Sequence, residues 1–214
     1  MLCSNQQSWA QLWPFVEEIP PVLCEWLPWN HTFGGNATFN MVLRNGGTLH
    51  GDGGKPAPGL VETTASNLSE VSPTIYFNVP RGFDLLLPFL ESDAGLRGNF
   101  FRNLDAIFYA GAALPQNLWK RLEALAVAER GGNLSMLSAW GSTETSPMAT
   151  CVHYHIERAG VVGNPGPGTE LKLVPSGGKP EVRVRGPNVT PGSFGRDDLT
   201  TAASDANGSY RFAA

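Results

Sequence analysis

Short apolar runs alternate with segments of helical periodicity through the first two thirds of the chain. That order is expected of an α/β layer fold built on a mostly parallel sheet. Trp9, Leu12, Trp13 and Val16 recur at helical spacing in WAQLWPFV, and Pro14 is expected to end or bend that helix. VLCEWLP reads as a buried strand, TFNMVLRNGG as a short helix closed by Gly46 and Gly47, and TLHGD as the next strand, which leads into the loop GDGGKPAPG. TIYFNVP, rich in β-branched and aromatic residues, is another strand.

The clearest unit is DAIFYAGAALPQNLWKRLEALAVAERGG: a strand, a glycine turn, then a helix that places Leu118, Leu122, Leu125 and Ala126 on one face and stops at Gly131 and Gly132. LSMLSAWG follows as a strand, so successive strands end in turns at Gly111 and Gly141. Open α/β sheets bind ligands outside the carboxyl ends of their strands, which makes these turns the place to look. After about residue 158 the pattern changes to short alternating strands between Gly/Pro turns, read as a small antiparallel β subdomain. The final TTAASDANGSYRFAA reads as polar and turn-like, without a closing element.

Composition narrows the function. The 214 residues are 42% hydrophobic and 16% charged, which fits a globular chain and excludes a disordered one. A net charge of -4 with scattered basic residues offers no footprint for nucleic acid or an anionic membrane, so neither is expected as a partner. Cys3, Cys24 and Cys151 form an odd set without CxxC spacing, which suggests neither a disulfide framework nor a structural zinc site. The N-terminal MLCSNQQSWAQ has no basic region followed by an apolar core, and no window approaches a membrane span. A reducing, cytoplasmic location is the expectation.

Candidate chemistry is concentrated in a few places. Gly54-Lys55 and Gly178-Lys179 fail the phosphate-loop template, because proline follows each lysine and leucine stands where the first glycine should be. Extended CVHYHIE would put Cys151, His153, His155 and Glu157 on one face. Same-face neighbours on a strand lie roughly 6.5–7 Å apart, so at most a histidine pair could share a metal; the other reading is an ordinary half-buried strand. His31, beside two glycines and among Trp26, Trp29 and Phe33, is either a structural histidine or a wall residue for an apolar substrate. In SAWGSTETSP, a capping box with Glu144 as its acid would need Ser or Thr at Gly141, and Pro147 prevents a long helix. The strand-end position of Thr143 and Glu144 instead suits a hydroxyl on a phosphate oxygen and a carboxylate on a phosphate-bridging Mg²⁺, with Trp140 offering a flat face to a purine.

WLPWNHTFGGN, FYAGAALP, WGSTETSP and GNPGPGTELKLVPSGGKPEVRVRGPNVTPG, in this order, resemble the motifs of the adenylate-forming acyl-CoA synthetases, the AMP-binding superfamily, and among them the feruloyl-CoA synthetase group. The resemblance implies that Gly111, Ala112 and Ala113 line the adenine and acyl pocket. It implies that Trp140 packs on the purine in a turn with Gly141 and Ser142, that Thr143 contacts phosphate, that Glu144 holds Mg²⁺, and that His31 lies where the acyl pocket meets the pantetheine tunnel. The implied reaction joins a small-molecule carboxylic acid to CoA at the expense of ATP, through an acyl-adenylate, with an aromatic acid such as a hydroxycinnamate as substrate.

Against the family pattern, residues 1–158 correspond to the α/β part of the AMP-binding domain from beyond its phosphate loop. Residues 159–214 correspond to a β subdomain segment that stops before the ribose-binding aspartate, and the mobile C-terminal domain has no counterpart. The chain is thus expected to be an incomplete N-terminal domain that is inactive alone. The alternative is a non-catalytic nucleotide or acyl-adenylate binding module, or a decayed fragment. A parallel sheet interrupted at its start is expected to expose apolar edge and face, and so to self-associate.

Overall fold

A computed structural model describes residues 1–212. The chain opens with helices α1 (Leu2–Leu12) and α2 (Phe15–Glu18), separated at Trp13-Pro14 as the proline requires. Strand β1 (Val22–Glu25) leads to a π-helical turn over Phe33–Phe39 that continues directly into α3 (Asn40–Asn45). Gly46 ends α3 with a left-handed φ of 64°. Next come β2 (Thr48–Gly51), α4 (Val61–Glu70), β3 (Ile75–Asn78), α5 (Pro80–Ser92), α6 (Ala94–Arg102), β4 (Ala106–Tyr109), α7 (Gln116–Arg130) and β5 (Ser135–Gly141). A 3₁₀ turn over Thr143–Thr145 precedes β6 (Met148–Cys151), β7 (Asn164–Pro165), β8 (Glu170–Ser176), β9 (Lys179–Arg185), α8 (Asp197–Ala203) and β10 (Tyr210–Arg211).

The principal sheet has the order β3-β4-β5-β6-β7. Its β3-β4-β5 half is parallel, whereas β6 and β7 run antiparallel, so the sheet is mixed. Strands β1 and β2 form a parallel pair beside β3, joined to it where the Thr74 N–H donates to Val22 O and the Val22 N–H donates to Thr74 Oγ1. The hairpin β8-β9, extended by β10, is a separate antiparallel sheet.

Every residue of β3 and β4 is buried, as expected for parallel strands covered on both faces. Phe77 and Phe108 oppose each other in the ladder with ring centroids 5.2 Å apart, and Trp9 and Trp13 cover them from one side. On the other side Tyr76 meets Phe83 of α5 and Phe100 of α6 edge-on. Among the α7 positions, Leu118, Trp119, Leu122 and Ala126 are buried and Leu125 is partly so. No helix among the described residues is long and apolar enough to cross a membrane.

The structure corrects two expectations about regular elements. CVHYHIE is not one extended strand: β6 stops at Cys151, because β7 offers only Asn164 and Pro165 as ladder partners. His153, His155 and Glu157 follow in irregular backbone, and among the described residues no group of three or more His, Cys, Asp or Glu could hold a metal. The polar tail is also more ordered than its composition suggested. It forms α8 and then β10, where Tyr210 and Arg211 pair with Val184 and Arg183; the last two alanines lie outside the described residues.

Trp13 meets four aromatic rings, those of Trp9, Phe15, Phe77 and Phe108, yet its buried indole N–H has no acceptor among the described residues. Trp13→Ala is expected to cost about 3–5 kcal/mol through the cavity it leaves. Trp13→Phe should cost much less, since it also removes the unpaired donor. Urea midpoints at unchanged slope are the check.

Candidate active site

Two cavities meet at Thr143 and Glu144. One, of about 590 Å³, opens at the carboxyl ends of β4 and β5, where an open α/β sheet places its ligands. The other, of about 810 Å³, lies against α8 and β10 and is lined by Thr190, Leu199, Thr200, Tyr210 and Arg211. The first holds His31, Gly111, Ala112, Ala113, Trp140, Gly141, Ser142, Thr143 and Glu144 in one wall-to-wall arrangement. The residues that the motif resemblance assigns to the site therefore converge on one space. Trp9, Phe33, Phe108 and Tyr109 add an aromatic lining, and no lysine or arginine stands among the lining residues.

Local backbone chemistry explains this convergence. After β4 the chain turns through Gly111 at φ 85°, a region that glycine enters without steric cost. At the end of β5 the ladder with β6 shifts register between Trp140 and Gly141. A Cβ at Gly141 would lie 1.8 Å from Pro147 O, so only glycine lets the turn fold back on its own strand. The turn is capped after all, though not by Glu144: Ser142 is the cap and Thr145 its third-position partner, with the Ser142 N–H donating to Thr145 Oγ1 at 2.9 Å. That frees the Glu144 side chain, whose Oε2 accepts from Ser142 Oγ at 2.6 Å. Thr143 is exposed and Glu144 half-buried.

Two asparagines from opposite ends of the chain hold this turn. Asn5 Nδ2 donates to Thr145 O at 3.3 Å and Met148 O at 3.1 Å; Asn188 Nδ2 donates to the same oxygens at 3.3 and 2.9 Å. Each amide thus uses both of its protons, and each carbonyl both of its lone pairs. The far side of each amide is fixed as well, Asn5 Oδ1 by the Trp9 indole and Asn188 Oδ1 by the Thr169 hydroxyl. The Thr190 N–H donates to Glu144 O at 2.7 Å, which ties the acid to the segment after β9. Reading the sequence did not find Asn5, Asn188 or Thr190, and no local spacing marks them.

His31 is exposed at the mouth of the cavity, its Nδ1 accepting from the Phe33 N–H at 3.1 Å. Trp140 is half-buried, with Phe212 packed on it at 4.6 Å and 50° between planes. One face of the indole is therefore already covered. The Tyr109 phenol is pushed up by burial, an effect that its approach to Ser138 and the Gly160 backbone opposes. Its geometry forms no hydrogen bond with either, since Ser138 Oγ donates instead to Val161 O. The Tyr210 phenol is raised first by burial and then by the charge of Glu144, which places that charge facing the second cavity too.

The donor set bears on Mg²⁺. The cavity lining holds one carboxylate, Glu144, and among the described residues no group of three or more His, Cys, Asp or Glu could hold a metal, which does not suit a protein cage but fits a cation that takes most of its oxygens from phosphate and water. The Gly54-Lys55 loop is a self-contained turn in which Asp52 accepts from the Gly54 N–H, Thr64 Oγ1 and Asn67 Nδ2; Lys55 points to solvent.

Asn188→Ala is expected to lower stability by about 1–3 kcal/mol. In a double-mutant cycle with Asn5→Ala, the pair should cost more than the sum, by roughly 0.5–3 kcal/mol, because each single variant leaves the shared carbonyls one donor.

The family model described as AMP-binding enzyme matches residues 1–194. A long-chain-fatty-acid–CoA ligase of Thermus thermophilus is 28% identical over 158 residues, 64% of this chain and 27% of that protein. A probable acyl-activating enzyme 16, chloroplastic, of Arabidopsis thaliana is 33% identical over 106 residues, 46% of this chain and 14% of its own length. Among solved structures, a malonyl-CoA ligase in a ternary product complex with methylmalonyl-CoA and AMP superposes with a TM-score of 0.75 at 30% identity, covering 98% of this chain and 44% of that one. The chain thus spans well under half the length of these relatives. With its site at the ends of β4 and β5 and a family match over most of its residues, the chain belongs to the AMP-binding enzyme family.

Proposed function

We propose that this chain carries the nucleotide- and acyl-binding centre of an ATP-dependent acid-CoA ligase. The observation that carries the reading is the single cavity that gathers the Gly111–Ala113 turn, the Trp140–Glu144 turn and His31. In this reading the purine lies between the Gly111-Ala112-Ala113 backbone and the face of Trp140 that Phe212 leaves open. Gly141 allows close approach, and the hydroxyls of Ser142 and Thr143 meet the phosphates. Residues 1–158 supply the α/β half of this domain and residues 159–214 the β subdomain behind it.

The proposed chemistry has two steps. A carboxylate oxygen attacks the α-phosphorus of ATP as the bond to pyrophosphate breaks, and the CoA thiolate then attacks the acyl carbonyl as AMP leaves. The protein's task in the first step is to hold two anions together at a fixed approach. Glu144 would hold Mg²⁺, which when bound supplies the charge that offsets their repulsion. His31 stands at the mouth, where the acyl group would meet the thiol. The aromatic lining from Phe33, Phe108 and Tyr109 supports a flat, apolar acid such as a hydroxycinnamate.

A second reading is favoured by the lining's lack of a lysine or arginine: a module that binds AMP or acyl-adenylate without turnover. Calorimetry separates the parts. AMP is expected to bind with a Kd of roughly micromolar order, and Trp140→Ala should weaken it at least tenfold. Glu144→Gln should leave AMP binding intact while abolishing the Mg²⁺ dependence of ATP binding. No binding of either nucleotide would remove both readings. A second expectation follows from the uncompensated triphosphate charge: the 214-residue chain shows no ATP–pyrophosphate exchange with ferulate or other aryl acids. Robust exchange would show that the hydroxyls and Glu144 suffice.

A further inference from the structure

Glu25, at the end of β1, is 5% exposed and makes no ion pair among the described residues. Its Oε1 lies 2.5 Å from Thr38 Oγ1, and its Oε2 is buried without a partner. Thr38, fully buried in the π-helical turn, also places Oγ1 2.9 Å from Gly34 O. A threonine hydroxyl has one proton, so it cannot donate to both oxygens. An ionised Glu25 would take that proton, leave the Gly34 contact without a hydrogen, and keep a bare anionic oxygen in the interior, a costly arrangement. If Glu25 carries a proton instead, its O–H donates to Thr38 Oγ1 and the Thr38 O–H donates to Gly34 O, so both short contacts are hydrogen bonds.

We propose that Glu25 is a neutral, hydrogen-bond-donating carboxylic acid and a positioning residue for the cavity wall that runs from His31 to Ala37. The turn it holds is seated tightly: a Cβ at Gly34 would lie 2.5 Å from Pro28 O, and one at Gly35 2.3 Å from Trp29 O. Thr38 pins the rest of the turn to β1, which sets where His31, Phe33 and Ala37 face the cavity. π-helical turns are uncommon and frequent at functional sites.

The titratable groups around Glu25 do not favour its anion. Asp52, in the loop after β2, is an acidic neighbour whose backbone N–H donates to Glu25 O. The Cys24 thiol on β1 is pushed up to about 12, first by burial and then by the charges of Asp52 and Glu25. The buried Tyr76 phenol on β3 is raised first by burial and then by the charges of Cys24, Asp52 and Glu25, with the Asn78 hydrogen bond opposing. His50, opposite Cys24 on β2, and Glu62 and Glu70 of α4 are exposed, as is Arg44 of α3, which pairs with Glu17. Burial accordingly pushes the Glu25 carboxyl from 4.5 up to about 8, with the Thr38 hydrogen bond opposing. Because the folded value is raised, this residue's contribution to stability is fully present below about pH 4.5 and is lost as pH rises to about 8.

The protonation stands independently of the ligand-binding reading; the positioning role rests on it. Glutamate-selective ¹³C labelling of the side-chain carboxyl, followed by NMR across pH, should show one carboxyl that stays protonated at neutral pH, titrates near 8 and is missing in Glu25→Gln. Every glutamate titrating at its ordinary value would overturn the proposal. Glu25→Gln keeps a donor toward Thr38 and should fold, with a melting temperature that changes less than that of the wild type over this pH window. If the wall depends on the neutral acid, wild-type affinity for AMP falls toward tenfold per pH unit above about 8, whereas Glu25→Gln is flat there. Parallel profiles would refute the positioning role even with the proton in place. A chain that binds no AMP at any pH would sink the cavity reading while the NMR still decides the state of Glu25.

Discussion

The site depends on two carbonyl oxygens. Thr145 O closes the turn that carries Thr143 and Glu144, Met148 O follows it at the start of β6, and Asn5 and Asn188 donate to both. A buried carbonyl without a donor costs about 1–3 kcal/mol, so a tight turn at a strand end is stable only where partners are supplied. Here they come from α1 and from the segment after β9, almost the whole chain apart. Both lone pairs of each carbonyl are therefore used only when α1 and the segment after β9 are docked together on the sheet. That coupling links the aromatic core under α1 to the geometry of the cavity, since Trp9 and Trp13 hold α1 against Phe108 while Trp9 also orients Asn5.

Charge follows the same economy. The cavity presents hydroxyls, backbone, one imidazole and one carboxylate, with aromatic walls and no lysine or arginine among its lining residues. Such a surface suits a flat purine and an apolar acyl group better than it suits three phosphates. Glu25 behind the wall fits this pattern, since an uncompensated anion there would work against the packing that shapes the cavity.

Much of the fold was legible from local signals. Pro14, Gly46 and Gly131 mark helix ends because their backbone preferences act locally, and the runs of apolar and aromatic residues in β3 and β4 announce strands buried on both faces. The antiparallel turn of β6 and β7 was not legible, because strand direction is set by the connection and the neighbours. Nor was the end of β6: Cys151, His153 and His155 alternate as a strand would, but the ladder lacks a partner beyond Asn164. The tail lacked hydrophobic period because β10 is held by its ladder with β9 and by Phe212 on Trp140. At the site, the motif residues were identifiable by resemblance, whereas the asparagine clamp was not. It joins residues about 140 positions apart, and a single asparagine carries no periodic signature. Glu144 is not a box acid, as its spacing indicated, but the Ser142–Thr145 cap went unread because the third position is taken by a threonine rather than by Glu or Gln.

The central claim is that this cavity is the nucleotide site. A crystal structure of the chain soaked with AMP tests it most directly. The account predicts the adenine between the Gly111–Ala113 backbone and the face of Trp140 opposite Phe212, with the phosphate at Thr143. Nucleotide density in the cavity against α8 and β10 alone, or adenine bound away from Trp140, would contradict it.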